Sequence, residues 1–158
     1  MEEILEILDN IKEENNLNYV YNGIAIYISQ YMLTNKKKNN NINTKILYDF
    51  YMFLLCNLNE MHKKHLIDSI LNMLQYDCFY TKDFSLLFQD LFFHIDNEDI
   101  EKQLLINFLK RYIYEPLPWG ISYTFESLKE NEKYKNIEKM YIKGNEKMET
   151  LLDKTPKK

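Results

Sequence analysis

Apolar residues recur at helical spacing from one end of this chain to the other, and the alternation that marks strands is nowhere sustained between turn residues. A helix with an apolar stripe must bury it against another helix, so the spacing predicts an all-α fold. Connections of a few residues place successive helices antiparallel. About eight or nine such segments predict stacked antiparallel helical hairpins, a HEAT-like array. The sequence shows no repeat of fixed period, so this architecture rests on helix count and loop length.

The first helix is expected over residues 2–13, with Ile4, Leu5, Leu8 and Ile11 inward, before it frays into the polar EENN. A second is expected from Tyr19 to about Leu33, with Val20, Ile24, Tyr27, Ile28 and Tyr31 as its core stripe. The run TNKKKNNNIN, residues 34–43, reads as a flexible polar loop. Between Thr44 and Asn59 two stripes, one through Leu47, Tyr51, Leu54 and Leu58 and one through Ile46, Phe50 and Phe53, predict a central helix. The stretch from Met61 to Gln75 is amphipathic through Ile67, Ile70, Leu71 and Leu74.

Thr81 is expected to cap a helix that turns Phe84, Leu87, Phe88, Leu91 and Phe92 inward and leaves Leu86 and Phe93 off the stripe. Asp96 or Asn97 caps the next, whose acidic start (Glu98, Asp99, Glu101) and basic end (Lys110, Arg111) suit the helix dipole. Pro116 stops that helix, and Pro118 is expected to open another at its first position. Two short helices near 136–142 and 145–153, parted by Gly144, precede a disordered tail at 154–158. All of it is expected to form a single helical domain, since 158 residues suffice for one core.

A net charge of −4 and a single Arg beside nineteen Lys argue against a nucleic-acid domain, whose affinity comes from clustered cations that neutralise phosphates. The same skew, with one Ala and one Val, reads as an A/T-rich coding bias and lowers the weight of any one Lys or Asn. Cys56 and Cys78 sit in apolar stretches without metal spacing and are expected as buried thiols rather than a disulfide. No secretory signal opens the chain, and its most apolar run, residues 46–56, is too short to span a bilayer. A location in the cytoplasm or nucleus is therefore expected.

Catalytic patterns are missing from the sequence. His62 and His65 stand at i, i+3 but lack a carboxylate to complete a metal set, and are expected as solvated surface residues. Gly23, Gly120 and Gly144 are too scattered to cradle a phosphate, and no serine elbow occurs. No cofactor, no metal and no enzymatic activity is expected. The aromatic content of 15% is expected to serve mainly the core, while Phe53, Leu86 and Phe93, off the main stripes, are candidates for a groove that a partner segment fills.

The most specific local feature is PLPWG: Pro116, Pro118, Trp119 and Gly120. A glycine beside a large ring lets another backbone approach while the ring fills the space around it, so Trp119 is expected to be wedged between helices. The stretch from Leu104 through PLPWGISYTFESLKENEKYK resembles the C-terminal domain of the Not-one family, the scaffold subunit of the Ccr-Not mRNA deadenylase complex. The likeness extends to YVYNGIAIYISQYM, to QYDCFYTKDFSLLFQDLFFHIDNEDIEKQLLINFLKRY and to NEKMETLL, nearly the whole chain. The sequence departs from the family at Glu115, Leu117, Asn136 and Ile137.

That resemblance implies a HEAT-like array that holds extended segments of Not-two and Not-three or Not-five subunits, supports mRNA deadenylation, decay and translational repression, and is not itself an enzyme. It also implies a location that includes mRNA-processing bodies, and a chain that is the C-terminal end of a longer protein. The alternative is a helical RNA-binding adaptor that uses Lys36, Lys37, Lys38 and the final lysines, with binding that falls steeply with salt.

Overall fold

The computed structural model describes residues 2–37, 44–112 and 116–137. Within them the chain forms α1 (Glu2–Asp9), α2 (Glu14–Lys37), α3 (Thr44–Asn57), α4 (Glu60–Asn72), α5 (Thr81–His94), α6 (Glu98–Tyr112), α7 (Trp119–Lys129) and α8 (Glu132–Ile137), and no strand. The all-α expectation is met. Asn136 and Ile137, expected to open a helix at 136–142, end α8 instead; the rest of that helix, Gly144, the helix expected at 145–153 and the tail at 154–158 lie outside the described residues.

Helix starts are set by short polar side chains that take up free backbone donors. Asn59 accepts from the His62 N–H at 3.1 Å, and Asn97 accepts from the Ile100 N–H at 3.1 Å. Thr81 does not cap α5. It is the helix's first residue, fully buried, and its hydroxyl donates to the Tyr76 carbonyl and accepts from the Cys78 N–H at 3.0 Å. It thereby closes the turn before α5. Pro118 is the N-cap of α7, in an extended conformation, and Trp119 takes the first helical position instead.

Two layers are built from alternate helices. One holds α2, α4 and α6 and the other α3, α5 and α7, so that each helix packs on the one two places along. The register between neighbours is constant. Gln103 hydrogen-bonds Glu60 and Arg111 pairs with Asp68 at 3.5 Å, both across 43 residues. In the other layer Thr124 meets Ser85 and Gly120 meets Thr81, both across 39 residues. A constant offset means that α4 and α6 run in one direction, as do α5 and α7. The α4–α5 and α6–α7 hairpins are therefore copies of one unit with a spacing of about 40 residues, the period of HEAT-type repeats. Side chains carry no trace of this period because each level of the stack is filled by different apolar residues.

The core runs between the layers. A chain of rings joins the later helices: Phe88 stacks on Phe108 with centroids 5.1 Å apart, Tyr112 lies 4.1 Å from Phe125, and Tyr134 meets Phe125 edge-on at 5.9 Å. Lys133 locks α8 onto the end of α5, donating to the Phe93 and Ile95 carbonyls at 3.3 and 3.1 Å and pairing with Glu101 at 3.2 Å. A cation there suits the helix's C-terminal dipole.

The first three helices depart from the pattern read in the sequence. α1 stops at Asp9, and EENN belongs to the end of the linker and the first turn of α2. Leu17 is fully buried, which draws the start of α2 forward to Glu14. Thr34–Lys37, expected as loop, extend α2; residues 38–43 lie outside the described residues. The stripe that faces α4 is Leu17, Tyr21, Ala25, Ile28 and Met32, with only Ile28 from the expected set. Small Ala25 and Ser29 are buried on this side, whereas Tyr27 and Tyr31 turn outward. Nor is α3 central. Its Leu47, Tyr51, Leu54, Leu55 and Leu58 are buried, but Ile46 is exposed, because α3 ends its layer and has α5 on one side only.

Candidate docking surface

The outward stripe of α2 and the outer stripe of α3 together make an open apolar groove of about 680 Å³. Val20, Gly23, Ile24, Tyr27 and Tyr31 supply the α2 side, Ile46 and Phe50 the α3 side, and Ile4 of α1 closes one end. Tyr27 is 73% exposed, Ile46 61% and Tyr31 52%. Large apolar side chains gathered on one face of a folded protein mark a surface that another molecule covers. Sequence reasoning missed this groove because it assigned the α2 stripe to the core. The available signal was the presence of two apolar stripes on one helix, of which a single neighbouring layer covers one.

The sequence-predicted partner residues lie elsewhere and do not converge. Leu86 is exposed on α5 and lines a recess of about 100 Å³ with Met32, Leu47, Asp83, Leu87 and Asp90. Phe53 and Phe93 are partly buried against the core, and neither lines that recess. Phe93 meets Phe92 edge-on, and its carbonyl receives Lys133.

At the PLPWG corner the two halves of the expectation separate. Gly120 is buried, and a Cβ there would lie 2.5 Å from the Leu74 carbonyl oxygen and 2.5 Å from Thr81 Cγ2, so the close backbone approach is real. Trp119 is not wedged. It is 40% exposed and stacks on Tyr123 across one helical turn, centroids 5.2 Å apart and rings 10° from parallel. The start of α7 aims Gly120 at Leu74 in the α4–α5 connection and at Thr81, the first residue of α5 in its own layer, so the preceding side chain swings outward. Pro116 is exposed, and Leu117 packs against the core.

The histidines also differ from the expectation. His62 and His65 are buried between α4 and the α1–α2 segment rather than solvated. His62 Nδ1 lies 2.9 Å from the Tyr21 hydroxyl, and the Ile11 backbone acts on the ring. Burial holds His62 below its ordinary value, against Asp9 and the Ile11 backbone, which favour the charged ring. Burial, and then Asp9, pushes the Tyr21 hydroxyl well above its usual range, so it stays a hydrogen-bond donor. His65 Nε2 lies 3.6 Å from Glu14. Among the described residues no group of three or more His, Cys, Asp or Glu is placed to hold a metal.

A second, polar recess of about 310 Å³ is lined by Lys45, Tyr48, Asp90 and His94. Burial first, then Asp49 and Asp90, raise the Tyr48 hydroxyl above its normal value, so it remains protonated at neutral pH. His94 Nδ1 bonds the Asp90 carbonyl at 2.8 Å, which fixes the ring at the end of α5. Both thiols are free; Cys56 is exposed rather than buried, because it lies on the outer side of α3 next to buried Leu55. No described helix is long and apolar enough to cross a membrane.

Residues 6–155, nearly the entire chain, match the family model described as CCR4-Not complex component, Not1. A comparison with curated proteins finds no match.

Proposed function

The chain belongs to the family of the CCR4-Not complex component Not1, and on that premise we propose that it is a non-catalytic scaffold module that binds the Not-two and Not-three or Not-five subunits. In this reading it forms one helical domain and supports mRNA deadenylation, decay and translational repression, in the cytoplasm, including mRNA-processing bodies, and in the nucleus. The observation that carries the reading is the apolar groove of about 680 Å³ on the outer face of α2 and α3, which the described helices leave uncovered. A scaffold gains affinity from a few buried anchors, each contributing about 2 kcal/mol or more, and Tyr27, Tyr31 and Ile46 are of the size that supplies them. Co-purification of the tagged chain with Not-two and Not-three fragments tests the proposal. A stable complex is the expected result, and recovery of the chain alone from each mixture overturns it.

A further inference from the structure

Gly23 occupies a position that the chain's own packing does not explain. It lies inside the 24-residue α2, where glycine weakens a helix relative to alanine. A Cβ built there would meet nothing within 4 Å, in contrast to Gly120, whose Cβ would collide with the Leu74 carbonyl oxygen. Gly23 nevertheless lines the apolar groove. A missing side chain with open space above it lets a second backbone come close, and here that backbone must come from outside the described fold.

The lining decides what form that backbone takes. An extended segment would press unpaired N–H and C=O groups against Val20, Ile24, Ile46 and Phe50, which offer no hydrogen bonds, and burying such groups unpaired is costly. A helix satisfies its own backbone and presents only side chains. From Val20 to Tyr31 the wall extends about 16 Å at 1.5 Å per residue, the length of three helical turns. The end of the groove at α1 is acidic: α1, which supplies Ile4, carries Glu2, Glu3 and Glu6 beside it and no basic residue. On α3, Lys45 lines the polar recess beside Asp90, and Asp49 acts on Tyr48 of that recess.

We propose that this groove docks one amphipathic helix of a partner protein, apolar on the buried face and basic at the end that meets α1, crossing α2 with its backbone against Gly23. The proposal rests on the scaffold reading and specifies one of its contacts. It differs from the extended segments that the family resemblance implies.

The test uses the full chain and three fluorescent peptides of about 18 residues, five helical turns. One has Leu, Ala and Lys in amphipathic helical order, one has Glu in place of Lys, and one has the first composition in scrambled order. The Lys peptide is expected to bind, the Glu peptide roughly tenfold more weakly or worse, and the scrambled peptide not measurably. Gly23→Leu, which fills open space, is expected to keep the wild-type circular dichroism and thermal midpoint while weakening binding about tenfold or more. Ile46→Lys, at an exposed wall position, is a second block that does not alter α2. Tyr76→Ser, outside the groove, leaves binding unchanged.

Equal binding of all three peptides overturns the proposal, as does full affinity in folded Gly23→Leu or Ile46→Lys. A dimer that sedimentation detects in wild type and loses in Gly23→Leu assigns the groove to a second copy and also overturns it. If Not-two and Not-three fragments co-purify equally with wild type and Gly23→Leu, the scaffold reading stands and the helix-docking inference falls. Binding of the Lys peptide without either subunit gives the reverse.

Discussion

Gly120 and Trp119 are adjacent and yet do opposite things, which makes them a direct test of how the PLPWG corner is built. Gly120→Ala places a methyl group 2.5 Å from a backbone oxygen that cannot rotate away, so α7 must shift from Leu74 and Thr81. The expected cost is about 2 to 3 kcal/mol of unfolding free energy, as for overpacking elsewhere, read by urea denaturation. Trp119→Ala removes a ring that is 40% exposed and stacked on Tyr123, so it should cost only about 1 to 2 kcal/mol in the same measurement. A larger loss for Trp119→Ala than for Gly120→Ala would mean that the indole carries the corner after all. The motif was legible as a site of close approach. Which of its two residues makes that approach was not, because adjacent positions on a helix point about 100° apart and the choice depends on where Leu74 and Thr81 lie.

At the scale of elements, α1 and the start of α2 are held to α4 through the Tyr21–His62 bond and the adjoining Ile11, Glu14 and Asn22 contacts. His62 is held below the 6.5 of an exposed histidine. The unfolded chain therefore binds the proton more readily than the folded one once the pH falls to that range. The stability contributed by the neutral ring is complete above about pH 6.5 and declines as the pH falls through the lowered folded-state value. Denaturation curves at pH 8 and pH 5 should show wild type losing stability on acidification, with a smaller loss in His62→Gln. An equal loss in both proteins would place the acid sensitivity elsewhere. Neither the burial of this pair nor its bond was readable from the sequence, because Tyr21 and His62 are 41 residues apart. The neighbouring lysines made the helix look solvated.

For the whole molecule, stacking by alternate helices means that each hairpin feels chiefly its neighbours, as in other solenoids. Damage at one level should therefore stay local. Hydrogen exchange in Gly120→Ala is expected to lose protection in α5 and α7 while amides of α2 around Tyr21 keep theirs. Uniform loss across α2 to α7 would show instead that the array opens as a single unit. The same architecture explains the apolar groove. Inside the stack both faces of a helix are covered, whereas α2 and α3 stand at one end, and their second apolar stripes face outward.

The helical period, a cap at Asp96 or Asn97 and the inward face of α5 were legible in the sequence alone, since each depends on residues within one or two turns. The likeness to a scaffold family was also present in the order of residues. Tertiary structure decided which stripe of α2 is core, the burial of His62 and His65, the outward turn of Trp119 and the place of the groove. A helix with two apolar stripes satisfies the local rules in either orientation. Only contact with α4, made through Tyr21–His62 and Asn22–Asn72, selects one stripe and leaves the other exposed.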